Sequence, residues 1–101
     1  MKLIELNLAK IKELCIKYRV KSLAVFGSIL TDRFNDNSDV DLLVYFDTTD
    51  HEQWDYVSNY FDLRDDLENL LGRKVDLIED GGIRNPLFRN AVDRTKQLIY
   101  G

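Results

Sequence analysis

The chain has one cysteine, one histidine, one proline and one tryptophan among its 101 residues. The lone cysteine, Cys15, excludes an intramolecular disulfide. It lies among apolar residues of a predicted helix and reads as a small buried hydrophobe. With His51 as the only histidine, neither a Cys/His zinc site nor a Ser-His-Asp arrangement has all its parts. No apolar run approaches the length of a membrane span. The N-terminus carries neither the apolar stretch nor the cleavage site of a secretory signal, so a cytoplasmic protein without a membrane association is expected. Positive charge is scarce as well: 14 Lys and Arg face 18 Asp and Glu, for a net charge of −4. That argues against stable binding of a nucleic-acid polymer, which needs a basic surface to neutralise phosphates. It leaves a single nucleotide open, because a divalent cation can supply the positive charge locally.

A chain of this length buries roughly two-thirds of its unfolded surface, enough for a core without staples, so one domain over 1–101 is expected. From Leu3 to Tyr18 the apolar residues Ile4, Leu8, Ile11, Leu14, Cys15 and Tyr18 keep helical spacing. Ser22 to Phe26 reads as a strand, Ile29 to Asn37 as a helical turn and loop, and Val40 to Phe46 as a second strand. That second strand is apolar on both faces, so it is expected to be central and covered on both sides. Thr49-Asp50-His51-Glu52 has the form of a capping box and predicts a helix from near Asp50. Trp54, Val57, Phe61, Leu67, Leu70 and Leu71 are spaced along that helix, and Gly72 stops it. His51 is explained by this helix start. Lys74 to Glu79 reads as a third strand. Asn85-Pro86 starts a last helix, with Leu87, Phe88, Ala91, Val92, Thr95, Leu98 and Ile99 on one side. The order helix, strand, strand, helix, strand, helix predicts an α+β, mixed α/β, fold.

The chemistry gathers between the first two strands. The first ends in Gly27-Ser28, and the second opens with Asp39-Val40-Asp41. Alternate strand residues share a face, so the two carboxylates sit on one side, about 7 Å apart. Two such carboxylates repel unless a cation lies between them or one takes up a proton. Their hard oxygens suit Mg²⁺. Gly27 lets backbone come close to a ligand, and a helical turn from Ser28 would offer free N–H groups to an anion. The plainer reading of Asn-Asp-Ser clusters is a turn; what lifts this case is the pairing of two charges with a strongly apolar strand. Asp76, between Val75 and Leu77 in the third strand, is a further carboxylate; unless it serves a site it reads as an edge-strand residue that faces water or pairs with Lys74 or Arg73.

Gly27-Ser28, ten residues, then Asp39-Val40-Asp41 is the GS-x10-DxD pattern. Together with the flanking Val25-Phe26 and Leu42-Leu43-Val44, it resembles the minimal nucleotidyltransferases (MNT) of the polymerase-β-like superfamily, along the whole chain. The resemblance implies the small polymerase-β-like fold, a short mixed sheet packed with helices. It also implies a metal-binding triad of Asp39, Asp41 and Asp76, with Glu79 a weaker candidate for the third place. Asp76 stands either as a metal ligand or as the general base. Gly27 and Ser28 would cradle the β- and γ-phosphates, which leave as pyrophosphate, with Ser38 beside them at the nucleotide. Two Mg²⁺ ions, or Mn²⁺ in their place, would support transfer of a nucleoside monophosphate, AMP from ATP, to a hydroxyl. Family members often carry an Arg two or three residues after Gly-Ser; Thr31 and Asp32 stand near there, which leaves Arg33 as a loop residue. Arg84 and Arg89 read as surface residues near a partner or phosphate, and Tyr56 and Tyr60 as core residues or an apolar patch for a partner. The resemblance further implies a HEPN-domain partner encoded beside the chain, in a toxin–antitoxin pair. The chain would be the antitoxin, transferring AMP to a tyrosine of the toxin or silencing it by binding alone. Transfer to an antibiotic or other small molecule fits less well, since no acceptor-binding domain follows Asp76.

Overall fold

The computed structural model describes residues 1–49 and 54–101. Helices α1 (Lys2–Leu6) and α2 (Leu8–Lys17) lead into β1 (Val20–Phe26), a 3-10 turn (Gly27–Leu30) and β2 (Val40–Phe46). Helix α3 (Tyr56–Leu71), β3 (Val75–Glu79), a second 3-10 turn (Asp80–Gly82), α4 (Pro86–Thr95) and β4 (Gln97–Tyr100) follow. The sheet order is β3-β2-β1-β4. β1 is antiparallel to β2 and β4, while β2 and β3 are parallel, as expected when a helix such as α3 links them. This is the mixed α/β architecture that the pattern of elements predicts.

Each face of the sheet has its own core. On one face Val25, Val40, Leu42, Val44 and Leu77 pack against Ile11 and Cys15 of α2 and Leu63, Leu67 and Leu71 of α3. On the other a smaller cluster joins Ala24, Phe26 and Leu43 to Val92 of α4, with Ile78 and Ile83 at its margin. β2 is therefore central and covered on both sides, as its sequence indicates. Cys15 is fully buried, and desolvation pushes its thiol up to about 12, which makes it an inert core residue.

Four expectations need correction. The first helix is broken at Asn7, whose side-chain amide donates to the Leu3 carbonyl at 2.8 Å. A short polar side chain that competes for helix carbonyls ends the helix there. The capping box Thr49 to Glu52 runs into residues outside those described; α3 itself begins at Tyr56, with the Asp55 carboxylate accepting from the Ser58 N–H. Val57 and Phe61 face solvent, whereas Tyr56 and Tyr60 pack on the core. The Tyr60 hydroxyl donates to the Leu77 carbonyl, so this pair is not a free patch. Last, α4 ends at Thr95, and Leu98 and Ile99 lie in β4 rather than in a helix. Leu98, Ile99 and Tyr100 favour a pleated surface, and pairing with β1 covers a strand edge that would otherwise be open.

The other edge is covered by side chains. On β3 the Val75 N–H donates to the Glu68 carboxylate at 2.9 Å, and Leu77 accepts from Tyr60. Both partners come from α3, so the helix fixes β3 in the register that places Asp76.

Candidate active site

β1 ends at Phe26 in extended conformation, and the chain turns at once through Gly27 at φ +78°. Only glycine adopts this conformation without cost. A second constraint acts on the same residue: a Cβ built on Gly27 would overlap Oδ2 of Asp41. The glycine thus makes the turn and leaves the space that the carboxylate fills. Ser28 follows in the 3-10 turn, where its carbonyl accepts from the Thr31 N–H at 2.9 Å and from the Thr31 hydroxyl at 2.8 Å.

The loop from Thr31 to Asp39 is held by its own polar groups. The Asn35 side chain accepts from the Asn37 N–H at 2.8 Å, and the Ser38 hydroxyl accepts from the Asn35 N–H at 3.1 Å. Arg73 pins the whole segment. One guanidinium nitrogen donates to the carbonyls of Asn35 and Ser38 at 2.8 and 2.9 Å, and the group lies 4.5 Å from the centre of the Phe34 ring. Among the described residues Asp76 forms no ion pair with Arg73 or Lys74 and is exposed to water; Arg73 approaches the Asp36 carboxylate instead, at 4.0 Å. Arg73 had one local signal, its place directly after the Gly72 helix stop. Its partners lie more than thirty residues away and could not be read from the sequence.

Sheet register then assembles the acidic group. Asp41 pairs with Phe26 on β1 and with Asp76 on β3. Directly paired residues share a face, and neighbouring strands lie about 4.8 Å apart. Asp39, one residue before β2, shares that face by alternation. Asp39 and Asp76 are exposed, and Asp41 is half-buried. Burial, then Asp76, then Asp39, push the Asp41 carboxyl above the usual carboxylate range. Its ionised form is thus opposed by desolvation and by two like charges, the electrostatics that a cation reverses. Among the described residues no three acidic, histidine or cysteine side chains are already drawn around one point. Mg²⁺ does not require that, since it keeps waters and takes phosphate oxygens beside one or two carboxylates. The donor set is all hard oxygen and fits such an ion.

The other sequence candidates fall elsewhere. Glu79 is paired with Val44, at the far end of β3 from Asp76, and lines a cleft with Tyr56 away from the carboxylates. Arg89 is tied to Asp80 at 2.5 Å and Asp93 at 2.8 Å and fastens α4 to the turn after β3. His51 lies outside the described residues. Arg33, read as a solvated loop residue, lines a cleft together with Gly27 and Ser28.

Residues 9–101 match the family model described as polymerase beta, nucleotidyltransferase. A candidate protein adenylyltransferase of Methanocaldococcus jannaschii is 43% identical over 84 residues, covering 83% of this chain and 79% of that protein. A solved structure described as a candidate minimal nucleotidyltransferase superposes with a TM-score of 0.77 at 27% identity, over 95% of this chain and 92% of that one. The fold also matches, at TM-score 0.66 and 21% identity, over 96% of this chain and 71% of the other, a structure described as the tri-AMPylated HEPN toxin of Shewanella oneidensis in complex with its MNT antitoxin. With the Gly-Ser turn and the Asp-x-Asp strand in the geometry described above, this chain belongs to the polymerase-β-type nucleotidyltransferases, as one of the minimal members of that family.

Proposed function

We propose that the protein transfers AMP from ATP, with Mg²⁺, to a tyrosine hydroxyl of a HEPN-domain partner, and that this transfer makes it the antitoxin of the pair. The observation that carries the reading is the sheet register that sets Asp41 beside Asp76 and opposite Phe26, with Asp39 one residue before β2 and the Gly27-Ser28 turn one residue after Phe26. The raised carboxyl of Asp41 supports a site built for a cation. The relative named for protein adenylyltransferase activity and the fold neighbour with an AMPylated HEPN toxin support the group transferred and the class of acceptor.

Asp39 and Asp41 would hold the ion together with triphosphate oxygens, and Asp76 would complete the set or take the acceptor proton. When bound, the ion supplies positive charge against the negative charge that develops on the phosphates. The backbone turn at Gly27 and Ser28 gives the phosphates close access to main chain, where no Cβ intervenes. Asp76 lies on the edge strand β3 and is exposed, so an acceptor arriving from outside the sheet could reach it. Its position suits a group that orients the incoming hydroxyl and draws off its proton.

The test is an intact-mass spectrum of the HEPN-domain protein encoded beside this chain, after incubation with ATP and Mg²⁺. A gain of one or more AMP units with the wild type, and none with Asp39→Asn/Asp41→Asn, is the expected result. No gain, with the two proteins still co-eluting and the toxin still silenced, would show an antitoxin that acts by binding alone.

A further inference from the structure

The row of carboxylates ends at an edge of the sheet, and that edge carries positive charge. The Lys74 carbonyl accepts from the Val40 N–H of β2 at 3.0 Å, so by alternation Val75 and Leu77 turn their backbone groups outward. Side chains of α3 already meet two of those groups: Glu68 takes the Val75 N–H, and Tyr60 donates to the Leu77 carbonyl. A further strand cannot pair there without displacing them. What the edge offers a partner is therefore side chains. Between α3 and β3 a cleft of about 500 Å³ opens, lined by Arg64, Glu68, Arg73, Lys74 and Val75.

Three cations share this cleft in a chain whose net charge is −4, and they are poorly neutralised. Glu68, the one carboxylate of the lining, accepts from the Val75 N–H at 2.9 Å. The Lys74 ammonium has no hydrogen-bond or ion-pair partner among the described residues, and Lys74 is exposed. Among the described residues Arg64 meets one carboxylate, that of its chain neighbour Asp65 at 3.3 Å, an exposed contact of small worth. The Arg64 Nε is sheltered from water and has no acceptor among the described residues, a state that costs free energy until an acceptor arrives. Arg73 gives one nitrogen to the loop carbonyls and reaches Asp36 only at 4.0 Å. Beside the cleft the helix turns apolar. Val57, Phe61, Arg64 and Glu68 are three or four residues apart and share one stripe of α3. Val57 and Phe61 are 62% and 44% exposed, and the Arg64 guanidinium lies 4.9 Å from the centre of the Phe61 ring. Because α3 leads through Gly72 into the start of β3, the stripe runs away from the carboxylate end, over about 10 Å from Arg64 to Val57.

We infer that this edge is the docking surface for the protein that accepts the nucleotide, with an acidic segment of that protein in the Arg64-Arg73-Lys74 cleft and an apolar side chain on Phe61 and Val57. The inference rests on the transfer reading and adds to it the side from which the acceptor comes. Successive residues of a strand point to opposite faces, so Val75 at the cleft and Asp76 at the active site stand back to back on one edge strand. A partner held in the cleft reaches Asp76 round that edge. The arrangement also separates the charges: an acidic segment is drawn to the cations on one face and stays clear of Asp39, Asp41 and Asp76 on the other. An RNA strand fits less well, since a single cleft gives no basic stripe along which successive phosphates can lie, and Asp36 and Asp65 at its margins repel them.

The experiment measures AMP transfer to the HEPN-domain protein encoded beside this chain, and binding of that protein by calorimetry, for wild type, Arg64→Glu, Lys74→Glu, Phe61→Ser and Arg64→Lys. Matching thermal midpoints would establish that the variants fold, and Lys74→Glu, at an exposed side chain without partners, carries the test alone if Arg64→Glu does not. Each charge reversal is expected to raise KM and Kd for the partner about tenfold and to flatten their salt dependence, with KM for ATP unchanged. Phe61→Ser is expected to weaken binding without altering the salt dependence, and Arg64→Lys to keep the wild-type salt dependence. If wild type transfers AMP and the charge reversals leave KM and Kd for the partner unchanged, the inference falls and the transfer reading stands. It falls equally if they raise KM for ATP instead, or if they abolish binding of a labelled oligouridylate while the partner still binds. If wild type binds the partner without transferring AMP, the transfer reading falls and the charge reversals still decide the cleft. If wild type neither binds nor modifies the partner, both fall.

Discussion

Substituting Gly27 by alanine probes the coupling between the turn and the Asp41 carboxylate. Two costs add. At φ +78° an L-residue is strained by about 1–2 kcal/mol. The new methyl group also overlaps Oδ2 of Asp41, and relieving that overlap by rotating the side chain off its rotamer or shifting the backbone costs about 1–2 kcal/mol more. The expected loss is about 2–4 kcal/mol, a fall of roughly 4–8 °C in melting temperature per kcal/mol for a domain of this size. Moving the carboxylate by about an ångström should also slow transfer about 100-fold. Gly72 is the matched control: it lies at φ +68° with nothing within 4 Å of a new Cβ, so Gly72→Ala should carry the backbone strain alone and leave transfer intact. In an Asp41→Ala background only the Asp41 Cβ remains, 3.5 Å from the new methyl and in ordinary contact. There Gly27→Ala should cost no more than Gly72→Ala, a coupling of about 1–2 kcal/mol in a double-mutant cycle. Urea denaturation and initial rates of AMP transfer read both quantities. Equal stability losses for the two glycine variants, with Gly27→Ala still transferring at the wild-type rate, would refute the reasoning.

Three further outcomes follow from the packing. Arg73→Ala should destabilise the protein by about 1–3 kcal/mol through loss of two carbonyl hydrogen bonds and the Phe34 contact. It should also slow transfer by freeing the loop that leads into Asp39. Arg73→Lys should restore little, because lysine lacks the planar fork; urea titration with parallel rate measurements checks both. The Asp93 carboxyl is held down at about 2 by Arg89 and then by Lys96, below its unfolded value near 3.9. A depressed folded value means that its stabilisation is complete above about pH 4 and lost as pH falls to about 2. Denaturation midpoints of wild type and Asp93→Asn should therefore differ at neutral pH and converge near pH 2. Leu67 is fully buried between α3 and the sheet, so Leu67→Ala should cost about 2–5 kcal/mol by urea denaturation, with an intact active site in the fraction that remains folded.

What the sequence made legible, and what it did not, divides by the range of the interactions. The Gly27-Ser28 turn, the β2 boundaries, the Gly72 stop and the Asn85-Pro86 start each depend on backbone preferences of a few adjacent residues, and each lies where it was expected. Asp39 and Asp41 share a face by strand alternation alone. Their meeting with Asp76 needs the parallel register of β2 and β3, which no local pattern specifies; the family resemblance suggested it. β4 was hidden because Ala91, Val92, Thr95, Leu98 and Ile99 also satisfy a helical period, and only pairing with β1 decides between the two. The break at Asn7 carried a signal, a short polar side chain inside an apolar helical pattern, that the surrounding periodicity outweighed. Arg73 acts through partners distant in sequence, and Thr95 and Gln97 come beside the Gly27-Ser28 turn only through the fold, so their places at the loop and the cleft appear only in three dimensions.

The most direct test of the central claim is the fate of the two ends of ATP. The HEPN-domain partner is incubated with this protein, Mg²⁺ and ATP labelled with radioactive phosphorus at either the α or the γ position. The account predicts that α-label enters the partner and γ-label appears only in pyrophosphate, with both lost in Asp41→Asn. Incorporation of γ-label would mean phosphoryl rather than nucleotidyl transfer, and would contradict the role assigned to the carboxylate row and the Gly27-Ser28 turn.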